Sequence, residues 1–274
     1  MTLELTGLTG KVAIVTGAGR MRSIGRQIAL ALAQAGCDAV VTGTGRAPDR
    51  YPDDEKAAGW RDIDSVAAEL RAMGRRALPV VMDVADEGDA QRLIEQTVRE
   101  FGRVDFLVNN AAAARGEDRV AVVDMAADVW DLVIRVKLRG SFLMSRAFAR
   151  EMLKQQRPGA IVNISSVAGK SLPANATAYG ASNAGLQALS AGMSRELGPH
   201  GIRVNTICPG AVDTSRLDDI GRGERWAQMV QNIPLRRASD GTDIGYAAAF
   251  LCSDQGSWIS GQAINVDGGA FVAH

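Results

Sequence analysis

Residues 11–36 read KVAIVTGAGRMRSIGRQIALALAQAG, and this stretch decides the fold. A short apolar, β-branched run leads into a glycine-rich turn, and the turn opens a segment with helical periodicity. Gly17 permits the tight turn, Gly19 lets a ligand approach the backbone, and Gly25 lets helix and strand pack closely. Backbone N–H groups at such a helix start bind phosphate. The stretch therefore predicts a dinucleotide-binding strand–turn–helix, and the alternative is a turn that uses its glycines only for packing.

The same alternation of strand and helix continues along the chain. Strands without a polar face, separated by helices, are typical of a parallel sheet covered on both faces. The sequence therefore predicts a Rossmann-like, doubly wound α/β fold of about seven strands, with its ligand at their carboxyl ends. Strands are predicted at 11–16, 38–42, 77–82, 104–109, 160–165, 202–207 and 262–266, and helices at 24–36, 61–74, 87–102, 125–156, 177–199 and 240–253.

No break in composition divides the chain, so residues 1–274 are predicted to form a single domain. Two segments nevertheless interrupt the alternation. Residues 47–60 are charged, contain proline and follow the second predicted strand as an insertion. Residues 211–239 form a long connection, and loops of that length in compact domains are usually functional. We therefore expect residues 211–239 to act as a substrate lid.

The composition argues against several classes of protein. Lys+Arg and Asp+Glu are equal at 31 each, so no net charge favours nucleic acid or an anionic membrane. The apolar runs are far shorter than the roughly 20 residues of a membrane span, and the first residues lack the pattern of a secretory signal. Three separated cysteines and two histidines predict neither a disulfide framework nor a metal site. The expectation is a cytoplasmic protein that acts on a small molecule.

Six motifs occur in order along nearly the whole chain. They are TGAGR…IG from residue 16, LVNNAA at 107–112, NISS at 163–166, Tyr179, CPGAVDT at 208–214 and GQAINVDGG at 261–269. In this combination the chain resembles a short-chain dehydrogenase/reductase of the ketoreductase type. The turn departs from the family's TGxxxGxG, since it has two extra residues and Ser23 in place of the middle glycine. That spacing resembles enoyl-carrier-protein reductases, but those carry a lysine seven positions after the tyrosine, where this chain has Leu186.

The resemblance implies roles in cofactor binding. Asp83 would bond the adenine, Pro209 and Gly210 would border the nicotinamide, and Thr214 would reach its carboxamide. The second strand ends without the acid that accepts the ribose 2′-hydroxyl of NAD, whereas Arg46 and Arg20 suit the 2′-phosphate of NADP. NADP(H) is therefore predicted, with NAD(H) and solvated surface arginines as the alternatives. The predicted cofactor-binding set is Gly17, Gly19, Arg20, Ser23, Ile24, Gly25, Arg46, Asp83, Val84, Asn109, Ala111, Tyr179, Asn183, Pro209, Gly210, Val212 and Thr214.

The resemblance also identifies the catalytic positions. A serine of this family polarises the substrate oxygen, a tyrosine transfers the proton, and a lysine four residues later assists the tyrosine. Ser166 and Tyr179 match, but Asn183 stands at the lysine position, and Lys137 stands where the family has a supporting asparagine. We predict that Lys137 replaces the missing lysine from the opposite wall. The alternatives are a lysine that reaches solvent, a site that has decayed, or replacement by Lys170.

Two functions from different classes follow. The first is an oxidoreductase that transfers a hydride between NADP(H), or NAD(H), and a carbonyl or secondary alcohol. The second is a catalytically weak nucleotide-binding or cofactor-sensing subunit, which Asn183 favours. The sequence names no particular substrate. The resemblance implies a homotetramer or homodimer.

Overall fold

A computed structural model describes residues 4–272, and its centre is one parallel sheet of seven strands in the order β3-β2-β1-β4-β5-β6-β7. All six neighbouring strand pairs are parallel. The order reverses between β1 and β4, and this reversal creates the crevice where ligands of doubly wound sheets bind. The predicted fold class is confirmed, while residues 1–3 and 273–274 of the predicted domain lie outside the described range. The strands are β1 Val12–Val15, β2 Asp38–Gly43, β3 Ala77–Val81, β4 Phe106–Asn109, β5 Gly159–Ile164, β6 Ile202–Pro209 and β7 Ala263–Val266.

Helices cover both faces of the sheet. Alternate residues of β1 enter different apolar clusters, since Ala13 packs with α1, α3 and α9, whereas Ile14 packs with α4 and α6. This double burial explains why the strands read as apolar runs without a polar face. The α-helices among residues 4–272 are α1 Ile24–Gln34, α2 Asp53–Ala57, α3 Ile63–Ala72, α4 Glu87–Phe101, α5 Ala127–Ile134, α6 Gly140–Gln155, α7 Thr177–Leu197, α8 Glu224–Gln231 and α9 Thr242–Cys252.

The structure differs from the predicted elements in three places. The predicted helix 125–156 is two α-helices joined by a π-helical turn, Arg135–Arg139. Such a turn holds one extra residue, which the apolar periodicity does not register, and π-turns occur frequently at functional sites. The insertion 47–60 contains α2, and the long connection 211–239 contains α8. No helix within the described residues is long and apolar enough to cross a membrane.

Candidate active site

The glycine-rich turn is tied to the end of β4 at the switch point. Gly17 has φ +67°, and a Cβ there would lie 2.8 Å from Cα of Ala111. Thr16 Oγ1 accepts the backbone N–H groups of Asn110 at 3.0 Å and Ala111 at 3.1 Å. Ser23 caps α1, since its Oγ accepts the N–H of Arg26. The turn is therefore rigidly placed, with the first N–H groups of α1 free of intrahelical partners.

The insertion folds back over this turn. Two contacts come from Met21 and Arg22 of the lengthened turn: the Met21 N–H donates to Glu55 Oε1 at 2.8 Å, and Arg22 Nε donates to Asp54 Oδ2 at 2.7 Å. Trp60 Nε1 donates to the Gly19 carbonyl at 2.6 Å. The lengthened turn thus anchors the insertion as a second layer of chain.

Arg46 lies at the end of β2 as predicted, but two carboxylates already neutralise it. Its guanidinium is 3.0 Å from Glu55 Oε2 and 3.3 Å from Asp62 Oδ2. Asp62 is buried and packs on Gly19, where an added Cβ would lie 1.3 Å from its Oδ1. Burial, and next the charge of Arg46, lowers the pKa of Arg20. The sequence has no acid directly after β2, but the fold places Asp62, the residue that precedes α3, at the end of that strand.

The remaining predicted cofactor residues lie on or directly after four elements, α1, β3, β4 and β6. Asp83 lies half-exposed after β3, and its Oδ2 accepts from Arg135 at 2.8 Å. The Asn109 side chain is buried and donates to Ser145 Oγ and Asn163 Oδ1, both at 2.8 Å, so it joins β4 to α6 and β5 instead of facing the groove. Ile24 is the first residue of α1, and Val84 packs under α6. The end of β6 and the residues after it hold the last four, Pro209, Gly210, Val212 and Thr214.

The Ser166 loop is fixed to α7. Ser165 Oγ donates to the Asn183 carbonyl at 3.0 Å, and Gln187 Nε2 donates to the Ser166 carbonyl at 3.2 Å. Ser166 Oγ accepts the N–H of Ala168 at 3.1 Å, which starts a short helical turn. The hydrogen bonds of Ser165 and Gln187 join this loop to α7, the helix that carries Tyr179. The loop and α7 therefore hold Ser166 and Tyr179 in one assembly.

Asn183 is fully buried, and its amide turns back on its own helix. Nδ2 donates to the Tyr179 carbonyl at 2.7 Å, and Oδ1 has no hydrogen-bond partner among the described residues. A buried acceptor without a partner is costly, so this oxygen is available to a donor that enters the site.

Lys137 is buried at the middle of the π-helical turn and does not reach solvent. Its side chain is on the protein interior, with 4 % of its surface exposed, and Nζ donates to the Ala111 carbonyl at 3.4 Å. Within residues 4–272 it makes no hydrogen bond to Tyr179. Burial, and then the charge of Arg216, lowers the pKa of Lys137 to about 7. Lys170 is engaged elsewhere, since Nζ donates to β7 at the Ala263 carbonyl.

Tyr179 lies on the wall of a cavity of about 370 Å³, which Ala168 and Asn175 also line. Two guanidiniums stack on its ring, from Arg119 and Arg216. No sequence pattern indicates a role for Arg119, Glu55 or Asp62, because each acquires its neighbours only through the tertiary fold. The one available signal was Trp60, an apolar residue inside a charged segment.

Comparisons with known proteins find relatives over nearly the whole chain. A family model described as enoyl-(acyl carrier protein) reductase matches residues 17–270. A 3-oxoacyl-[acyl-carrier-protein] reductase of Staphylococcus aureus is 37% identical over 262 residues, covering 96% of this chain and 98% of that protein. An L-rhamnose 1-dehydrogenase (NAD(P)(+)) of Sphingomonas sp. is 34% identical over 266 residues, covering 97% and 98%. A short-chain type dehydrogenase/reductase from Mycobacterium marinum superposes with a TM-score of 0.83 at 29% identity, covering 98% of both chains.

The chain belongs to the short-chain dehydrogenase/reductase family, and it is an oxidoreductase by that membership. The family implies NAD(H) or NADP(H) as cofactor, and the residues present fit such a group. The turn at Gly17 offers the orphan N–H groups of α1 to a pyrophosphate, and the unpartnered Oδ1 of Asn183 offers an acceptor to a ribose hydroxyl.

Proposed function

We propose that this protein interconverts a carbonyl and a secondary alcohol, with NAD(P)(H) as the hydride donor or acceptor. The observation that supports the proposal most is the joining of Ser166 and Tyr179 into one assembly at the carboxyl edge of the sheet. The π-helical turn, whose Leu138 packs on α7, connects to the cofactor turn, because Lys137 bonds to Ala111, and Ala111 packs on Gly17.

The chain's own residues manage the oxygen while the cofactor supplies or accepts the hydride at carbon. In reduction the carbonyl carbon gains the hydride, and the Tyr179 hydroxyl gives its proton to the oxygen. In oxidation the same group takes that proton back. The Ser166 hydroxyl donates a hydrogen bond to the substrate oxygen, which stabilises the negative charge that develops there.

Lys137 and Asn183 are proposed as an exchanged pair that supports Tyr179. Both are buried on facing segments, since Leu138 of the π-helical turn packs against Gly185 of α7, where a Cβ would lie 2.9 Å from Leu138 Cδ2. Lys137 at the Ala111 carbonyl borders the cofactor groove. We propose that Asn183 Oδ1 accepts a hydrogen bond from a ribose hydroxyl. We also propose that the ammonium form of Lys137 assists proton transfer by Tyr179.

For the cofactor, Arg46 and Arg20 support NADP(H), and Asp62 supports NAD(H). A 2′-phosphate would have to replace Glu55 and Asp62 as the partners of Arg46, whereas the Asp62 carboxylate can accept a ribose 2′-hydroxyl directly. We keep NADP(H) as the proposal, with NAD(H) as the candidate that this buried carboxylate favours.

Michaelis constants for NADPH and NADH decide between the two cofactors. Asp62→Asn removes the negative charge near the proposed 2′-phosphate, so it should lower KM for NADPH more than for NADH. The exposed Asp64→Asn is the matched control, since it removes a charge one residue into α3. A wild-type enzyme that uses NADH with the higher kcat/KM, and whose preference reverses in Asp62→Asn, would overturn the NADP(H) proposal.

The second candidate is a nucleotide-binding subunit without turnover. This candidate is supported by the hydrogen bond of Lys137, because its Nζ donates to the Ala111 carbonyl and not to Tyr179. In either case we propose residues 211–239 as a lid, since Arg22 Nη2 on the cofactor turn pairs with Asp218 at 2.6 Å. A homotetramer or homodimer also stays a proposal, which light scattering tests.

A screen at 340 nm with NADPH and NADH over ketones and oxo acids, and with the oxidised cofactors over alcohols, tests the proposed function. Turnover that depends on Tyr179 supports the oxidoreductase. Tight cofactor binding without turnover across the panel supports the second candidate.

A further inference from the structure

Four arginines gather at the mouth of the site around Tyr179. The guanidinium carbon of Arg119 is 4.3 Å from the centre of the Tyr179 ring, and that of Arg216 is 5.3 Å from it. Arg115 and Arg225 line the same cavity of about 370 Å³ as Tyr179 and Arg119. The sequence places these side chains on two distant segments, and the fold brings them together.

The cluster has more positive than negative charge. Arg115 pairs with Asp219, and Arg119 Nη2 lies 3.8 Å from Oδ2 of the buried Asp118. Arg216 forms no ion pair within residues 4–272, and its Nη1 donates to the Ala113 carbonyl. The Nε of Arg119 is buried without a hydrogen-bond partner. Counting Arg225, four guanidiniums face two carboxylates. Partly buried guanidiniums that lack an anionic partner are costly, so Arg119 and Arg216 favour an anion that binds beside the Tyr179 ring.

Electrostatic coupling among these groups supports the same conclusion. Burial lowers the pKa of Arg119 and of Arg216, and the charge of Arg119 lowers the pKa of Arg216 further. The pKa of Arg115 is lowered by burial and next by Arg216. The positive charges therefore sense one another in a partly desolvated space. An anion bound beside them relieves that repulsion.

We propose that the substrate is a short oxo acid, or the corresponding hydroxy acid, whose carboxylate binds to Arg119 and Arg216. The phenol oxygen lies ~3 Å from its ring centre, so guanidiniums stacked on the ring lie roughly 5–6 Å from the point of proton transfer. A carboxylate one or two carbons from the reacting carbonyl spans that distance. This inference rests on the proposed function, because it assigns the substrate class of the Tyr179 site.

The first experiment measures kcat/KM for 2-oxobutanoate and acetoacetate against their methyl esters, which keep the carbonyl and lose the charge. The wild-type enzyme should prefer the acids by about 10- to 100-fold, as one charge-assisted hydrogen bond provides. Arg216→Gln and Arg119→Gln should each remove most of that preference. Arg99→Gln, which removes an exposed charge on α4 far from the cavity, should leave it unchanged.

The second experiment does not need turnover. Oxamate and malonamate are unreactive oxygen-bearing carboxylates, and oxamide and malonamide are their neutral counterparts. Calorimetric titration into the protein with NADP+ or NAD+ should show binding of the acids only, and Arg216→Gln should abolish that binding. Circular dichroism of each variant checks that it is folded.

The outcomes separate the two proposals. Turnover of ketones and esters with no preference for acids, and no binding of oxamate or malonamate, would overturn the carboxylate proposal and leave the oxidoreductase intact. Arginine-dependent binding of these acids without turnover of any compound would support the anion site and reject the proposed function. An inorganic phosphate that competes with oxamate more strongly than acetate does would indicate a phosphorylated substrate and overturn the choice of carboxylate.

Discussion

Replacing the buried Lys137 with methionine should stabilise the protein, although it removes a residue of the site. Burial lowers the pKa of Lys137 from 10.5 to about 7. The Lys137 amine therefore binds its proton more tightly in the unfolded chain than in the folded chain. The difference corresponds to roughly 5 kcal/mol of lost stability at pH 6, where the folded state must bury the ammonium. This destabilisation is fully present below pH 7 and decreases as the pH rises toward 10.5, so only about 2 kcal/mol of it remains at pH 9.

Urea unfolding of wild type and Lys137→Met at pH 6 and pH 9 measures this dependence. Methionine fills a similar volume without a charge, so the variant should be more stable than wild type, and the gain should be larger at pH 6. Lys154→Met is the control, because that ammonium is exposed on α6 and its removal should change stability little at either pH. A Lys137→Met variant that is less stable than wild type at both pH values, or equally shifted at both, would refute the reasoning.

Two further changes have defined outcomes. Asp105 is buried, and its Oδ2 accepts the Val12 N–H at 2.9 Å. Asp105→Ala should therefore lower the free energy of unfolding, measured by chemical denaturation, by about 2–4 kcal/mol. An unchanged denaturation midpoint would contradict this role of Asp105. The double change Lys137→Asn with Asn183→Lys restores the family's arrangement, so its kcat/KM should exceed that of either single variant by about tenfold or more. Single variants as active as wild type would show that the exchange is accidental.

Most of the fold could be predicted because it depends on a local signal. Buried parallel strands require continuous apolar runs, and the turn at Gly17 requires its glycine, so β1, α1 and the parallel, doubly wound sheet follow from the residues. The π-helical turn at Lys137 could not be predicted, because one extra residue in a helix hardly alters the apolar periodicity.

The site was predicted less completely, because its chemistry depends on contacts between distant segments. The resemblance to the family predicts Ser166, Tyr179, Lys137 and Asn183. Asp62 and Arg119 were missed, since a charged residue in a loop reads as solvated until the fold places it beside a partner. Asp62 also has φ +50°, a conformation that aspartate rarely adopts and that no sequence pattern indicated.

The kcat/KM of Tyr179→Phe relative to wild type, followed at 340 nm with the best substrate and cofactor of the screen, tests the central claim most directly. The variant keeps the ring beneath Arg119 and Arg216 and loses only the hydroxyl that transfers the proton. We expect a loss of about 10²- to 10⁴-fold, the range of general acid–base catalysis, with cofactor affinity retained. Equal activity of Tyr179→Phe and wild type would contradict it.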